Sequence, residues 1–125
     1  MMKKTDIKWL SEPEAHNYPA ALSYLCLIYD VQMAAQHVDN LKQAVISQFK
    51  AKDIFRSSGL SLLGISNTHV QKNQQKIQAG IQLSPILLVR DPANGKAIVA
   101  DGYHRLCAIY SYDEDAVFRA KLYSQ

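Results

Sequence analysis

Five consecutive residues, Asp101, Gly102, Tyr103, His104 and Arg105, carry the side chains in this chain best suited to hold an anion. They follow the apolar run KAIVA and precede LCAIY, so a strand ends and a helix begins among them. The first turn of a helix leaves backbone N–H groups unpaired and carries partial positive charge, which suits phosphate. Gly102 lets a ligand approach the backbone without a Cβ in the way. Arg105 offers a planar fork that is always charged, and His104 adds a donor near physiological pH. The same residues admit a structural reading, in which Asp101 caps the helix, Gly102 makes a tight turn, His104 lies on the surface and Arg105 pairs in a salt bridge. One glycine is a weaker signal than a glycine-rich phosphate loop, so local chemistry alone leans to the structural reading.

Other residues rank below this motif. Lys50 and Lys52 alternate in a stretch that reads as extended, which would aim both at one face. They complete an anion pocket in one reading and form a solvated edge in the other. His69 precedes a helix as a cap neighbour or a pocket residue. Asp53 and Asp101 are the carboxylates that would serve as base or magnesium ligand in phosphoryl transfer, and both have alternatives as helix caps. His16 and His37 show no metal-ligand spacing with the other histidines and read as structural. Cys26 and Cys107 stand 81 residues apart, outside any CxxC or Cys/His spacing, so no metal site and no redox pair is expected.

The elements that must position these residues are clearest at the C-terminal end. PILLVRD is a β-rich apolar run, DPANG is turn chemistry, and KAIVAD is a second run, which together predict a hairpin. A helix over Tyr103 to Tyr112 then places Leu106, Ile109 and Tyr110 on one face. VFRAKLY closes the order strand, strand, helix, strand, with Phe118, Ala120 and Leu122 inward against Arg119 and Lys121 outward. Upstream, Tyr18, Ala21, Leu22, Leu25 and Tyr29 predict one amphipathic helix from Asn17 to Tyr29, with Pro19 in its first turn. Ala34, Ala35, Val38, Leu41 and Val45 predict a second from Val31, making a helical hairpin broken near Asp30. Residues 49–67 read as an extended piece, a brief helix around Asp53 to Ser57, and a loop punctuated by Gly59 and Gly64. THVQKNQQKIQAG reads as an exposed helix with Gly80 at its C-cap.

At 125 residues, 48% hydrophobic and 20% charged, the chain fits one soluble domain with a core of its own. Residues 1–49 form its helical N-terminal extension and residues 50–125 its core. The net charge of +3 is unevenly placed: four basic and five acidic residues fall in 1–49, ten and six in 50–125. The second part is therefore the one that would attract an anion. No apolar run approaches membrane length and no apolar segment follows the basic lead MMKKT, so a cytoplasmic, reducing setting is expected.

About residues 68 to 123, which include the run from IQLSPILLVRD through ADGYHR to VFRAKLY, resemble the core of the ParB/sulfiredoxin-like superfamily. Asp101 to Arg105 is most similar to the Asp-Gly-His-His-Arg of its free-serine kinases; sulfiredoxin reads Gly-Cys-His-Arg and partition proteins Gly-Glu-Arg-Arg. The resemblance implies an α+β fold, a small mixed sheet with a motif helix. It implies that Gly102, Tyr103, His104 and Arg105 hold the phosphates of a nucleoside triphosphate or diphosphate with Mg2+. With the resemblance added, phosphate binding outweighs the structural reading. Sulfiredoxin's reactive cysteine would fall at Tyr103, so sulfinic-acid repair is not expected, and Cys107 reads as a small residue packed under the sheet.

The function expected is nucleotide or phosphate binding. If the domain is catalytic, Asp101, His104 and Arg105 are the residues for phosphoryl transfer or nucleotide hydrolysis. A second class is a non-catalytic adaptor or regulatory domain, with the tyrosine-rich hairpin as a dimer or protein-binding surface. A nuclease or nucleic-acid partner ranks third, because the segment 17–49 carries one basic residue, Lys42, beside Asp30 and Asp39. Sequence-specific DNA binding needs a basic, phosphate-neutralising face.

Overall fold

The strand β2 (Ile86–Asp91) is apolar at four successive positions because both of its faces are covered. Ile86 and Leu88 enter one core with Phe118, Ala120 and Leu106, while Leu87 and Val89 enter another with Leu25, Val38 and Leu41. In the computed structural model, which describes residues 6–64 and 67–125, nine elements build this two-sided arrangement.

The helices α1 (Asn17–Leu25) and α2 (Val31–Gln43) form a hairpin over one face of a four-stranded sheet. The strand β1 (Ile46–Lys50) and helix α3 (Ala51–Ser58) follow, then α4 (Thr68–Gln78), β2, β3 (Lys96–Asp101), α5 (Tyr103–Tyr112) and β4 (Val117–Ser124). The strands lie in the order β1-β4-β2-β3; β1 runs antiparallel to β4, β4 parallel to β2, and β2 antiparallel to β3. The chain is thus α+β with a small mixed sheet, and its last four elements come in the order expected. Helices α3, α4 and α5 cover the second face.

Local chemistry accounts for most boundaries. Asp30 caps α2 by accepting from the Met33 N–H at 2.8 Å, and Asn67 caps α4 by accepting from His69 and Val70. Past α4, Gly80 adopts φ 72° and the N–H groups of Gly80 and Ile81 return to the carbonyls of Ile77 and Lys76, the paired closure that a glycine at this place permits. The first helix stops at Leu25, short of the expected Tyr29, because residues 26–29 turn back on the carbonyls of Leu22, Tyr24 and Leu25 so that Asp30 can start α2.

Three expectations need correction. The extended piece begins at Ile46, inside the segment expected to be wholly helical, and its pairing with β4 makes it an integral edge of the sheet. Lys50 and Lys52 do not alternate on a strand: Lys50 ends β1, and Lys52 sits in α3, where its amine meets Asp115 at 2.8 Å. Lys121 does not point to solvent. It is 3% exposed, because β4 is an interior strand with the hairpin over it. The lysine runs its stem through that layer to donate to the Lys42 carbonyl at 2.9 Å, with Glu12 at 3.5 Å. Cys107 is fully buried, packed as a small core residue as expected, and burial raises its thiol pKa. Among the described residues no helix is long and apolar enough to cross a membrane.

Candidate functional site

Strand β3 delivers Asp101 beside Leu87, and the chain then turns sharply through Gly102 at φ 105° to start α5. A Cβ at Gly102 would sit 2.8 Å from Ile86 Cγ1 and 2.9 Å from Arg105 Nη2. The glycine is thus required by the protein's own packing and backbone, not only by an approaching ligand. Asp101 does not cap α5, contrary to one expectation. Gly102 occupies the cap position, and no side chain caps the helix. The amides of the first turn are left for water or a ligand.

The Asp101 carboxylate instead meets Arg105, whose Nη2 donates to Asp101 Oδ2 at 3.1 Å, to Asn17 Oδ1 at 3.1 Å and to the Pro85 carbonyl at 3.5 Å. Both charged side chains are mostly enclosed, at 17% and 19% exposure. Asn17, 2% exposed, also accepts from Ser84 Oγ at 2.7 Å, and Ser84 Oγ accepts from the Glu14 N–H at 3.0 Å. The expected phosphate fork is therefore first an internal clamp. It ties the motif helix to the first residue of α1, across 88 residues of sequence. The salt-bridge half of the structural reading holds for Arg105.

The same end of the helix nevertheless opens into a polar cavity of about 280 Å³. Helix α4 packs beside α5 and brings His69 against His104, ring centroids 4.9 Å apart. Lys76, two turns along α4, reaches the same space, and Asn73 lines it while donating to the His69 carbonyl at 2.8 Å. Burial lowers the His104 pKa from its ordinary value, and the neighbouring His69 lowers it further, so His104 favours its neutral form. Tyr103 packs 5.6 Å from His104 and donates its hydroxyl to the Ser61 carbonyl; burial raises its pKa, so it remains a phenol.

Of the expected site residues, the structure brings together Asp101, Gly102, Tyr103, His104, Arg105 and His69. It places Lys50, Lys52 and Asp53 elsewhere: Asp53 lines a separate cleft with Phe49 and Ile54, and none of the three borders the motif cavity. Glu14, His16 and Lys76 border the cavity and were not expected there. His16, read as structural, is exposed at the start of α1 with Glu14 Oε2 4.0 Å from its Nδ1. These two arrive because residues 8–14 lie along residues 83–84, with Leu10 donating to the Leu83 carbonyl at 2.9 Å and Leu83 to the Lys8 carbonyl at 2.8 Å. No periodicity in the sequence signals such a non-local pairing. Lys76 was within reach of sequence reasoning only as the lone cation in the last turn of α4.

His37, also read as structural, is buried in the hairpin layer between Tyr29 and Tyr123. Among the described residues no group of three or more His, Cys, Asp or Glu side chains is arranged to hold a metal ion. Comparison with known proteins adds no assignment: no family model, no curated protein and no solved structure matches the chain.

Proposed function

We propose that the cavity at the start of α5 binds the phosphate groups of a nucleotide or another phosphorylated small molecule, in a domain of ParB/sulfiredoxin-like type. The observation that carries this reading is the convergence there of an uncapped helix start with His69, His104 and Lys76. Amide donors, imidazoles and one flexible ammonium are the groups that phosphate oxygens accept from. A volume of about 280 Å³ suits the phosphates, with the nucleoside lying outward. A magnesium ion arriving with the phosphates would find one carboxylate unclaimed by arginine, Glu14, since Asp101 is held by Arg105.

If the domain is catalytic, phosphoryl transfer or nucleotide hydrolysis is the reaction class. His104 and Lys76 would stabilise charge on the phosphates, and Arg105 would hold the site together. The test is a thermal-shift panel with ATP, ADP, CTP, GTP and pyrophosphate, with and without magnesium, on wild type, His104→Gln and Lys76→Ala. Arg105→Ala is a poor choice because it dismantles the clamp. A ligand at about 100 times its dissociation constant adds about 2.7 kcal/mol, and the expected shift shrinks in both variants. No shift with any of the five in folded protein contradicts the reading.

One observation favours the adaptor reading as a second. The elbow between α1 and α2 exposes Leu27 at 84%, together with Ile28, Val31 and Met33, while Ala21, Leu25, Ala34 and Leu41 are packed on the sheet. Sedimentation of wild type against Leu27→Ser with Val31→Ser tests it as a homodimer surface: an unchanged monomer in both rejects self-association.

A further inference from the structure

A site that holds a phosphate dianion needs a surplus of positive charge, and the fixed charges of this cavity cancel. Lys76 and Arg105 stand against Glu14 and Asp101. Arg105 is moreover engaged through Nη2 with Asp101 and Asn17. The remaining lining groups able to become cationic are three imidazoles, carried there by three separate parts of the chain. His16 precedes α1, His69 lies in the first turn of α4 and His104 in the first turn of α5.

We infer that His16, His69 and His104 supply the recognising charge of this site, so that it takes a phosphate dianion only together with protons. The inference rests on the phosphate-binding reading of the same cavity and adds to it the residues that discriminate. A terminal phosphate, as in a monoester or at the end of a nucleotide, carries the double charge that rewards two or three imidazoliums. A phosphodiester within a nucleic acid carries one charge and gains much less.

The geometry makes the coupling mutual. With ring centroids 4.9 Å apart, His69 and His104 would repel if both were charged, and burial together with His69 favours the neutral form of His104. An anion between them removes that repulsion, so ligand raises the imidazole pKa values and protons raise ligand affinity by the same factor. His104, already held neutral by burial and by His69, has the most to gain. The other charged groups facing the cavity are Glu14, 4.0 Å from His16 Nδ1, Asp101 and Arg105, paired with each other, and Lys76 on α4. Tyr103 remains protonated there.

The experiment is calorimetric titration of the full chain with pyrophosphate between about pH 5.5 and about pH 8.5, where histidine changes charge. Wild type is compared with a triple variant, His16→Gln, His69→Gln and His104→Gln. The ratio of the two affinities cancels the ligand's own titration. The expected ratio is roughly tenfold or more at the acid end, closing toward about one at the basic end. A ratio that stays flat with pH overturns the proton-linked role and leaves phosphate binding standing. Absence of pyrophosphate binding by wild type at every pH overturns both. Should the triple variant melt at lower temperature than wild type, imidazole NMR titrations of wild type decide instead. Pyrophosphate must raise the pKa of all three histidines, and unmoved titrations reject the inference.

Discussion

Each face of the sheet carries a histidine that its surroundings hold neutral, and the two faces do so for different ends. On the hairpin side His37, 5% exposed, is wedged against Tyr29 and Tyr123 with ring centroids 4.7 and 5.4 Å away. Neither of its nitrogens meets a hydrogen-bond partner among the described residues. On the other side His104 opens on a polar cavity beside His69. Burial lowers both pKa values, and a nearby Asp91 partly opposes the effect at His37 while His69 adds to it at His104. Charging His37 forces a cation into an apolar layer, which costs stability. Charging His104 places a cation where an anion can answer it. Both faces are packed with apolar side chains; what differs is that His37 is enclosed in its layer while His104 borders a polar cavity at the start of α5.

The largest blow to the motif face comes from Gly102→Ala. The added Cβ meets Ile86 and Arg105 below 3 Å, on a backbone at φ 105°. Strain and overlap together cost about 3 to 4 kcal/mol, read as a lower urea midpoint at unchanged slope. A loss under about 1 kcal/mol would mean that the turn relaxes easily, and the close packing of β2, β3 and α5 would lose its argued role.

Arg105→Ala follows. It leaves the Asp101 carboxylate and the Asn17 oxygen without their shared donor in a largely enclosed place. The expected cost is about 2 to 3 kcal/mol, discounted for the remaining exposure of the pair. Hydrogen exchange should also rise at Glu14 and Asn17, since the clamp through Ser84 loosens. A destabilisation without change in that segment would separate Arg105 from the assembly of the site.

His37→Leu has the smallest effect and the opposite sign. A histidine whose folded pKa is lowered contributes stability that is present above its ordinary value and lost as pH falls through the folded value. Wild type should therefore weaken between about pH 7 and pH 5, and the leucine variant should flatten that limb. At neutral pH the variant should gain up to about 1 kcal/mol by removing two unpaired buried nitrogens. A leucine variant as acid-sensitive as wild type would shift the cause of acid weakening to the cavity side.

What the sequence made legible were the features written in short range. PILLVRD and KAIVAD announced the β2–β3 hairpin by composition, Asp30 and Gly80 marked helix ends, and the Leu106 to Tyr110 spacing gave α5 its buried face. The α+β class was expected from the resemblance, and the observed helices and mixed sheet agree with it. Less legible was whatever depended on partners far away. ISQFK alternates too weakly to announce an edge strand, and only its pairing with β4 makes it one. Lys121 sits in an alternating pattern that implies a solvent face, yet the hairpin covers that face. A salt bridge for Arg105 was among the readings, but its bond to Asn17, and through Asn17 to Ser84, was not, because those partners are invisible from position 105. Glu14 and His16 reach the cavity because Lys8 and Leu10 pair with Leu83 through the main chain and the Glu14 N–H donates to the Ser84 hydroxyl, which no local pattern encodes.

The most direct test of the central claim is an amide and imidazole NMR titration of the full chain with pyrophosphate at about pH 6, where histidine is partly charged. The account predicts that the largest shifts fall on the Tyr103 and His104 amides and on the rings of His16, His69 and His104, with the hairpin resonances of α1 and α2 little changed. Shifts concentrated on Leu27, Val31 and their neighbours, or none at saturating ligand, would contradict it and turn attention to the exposed elbow of the hairpin.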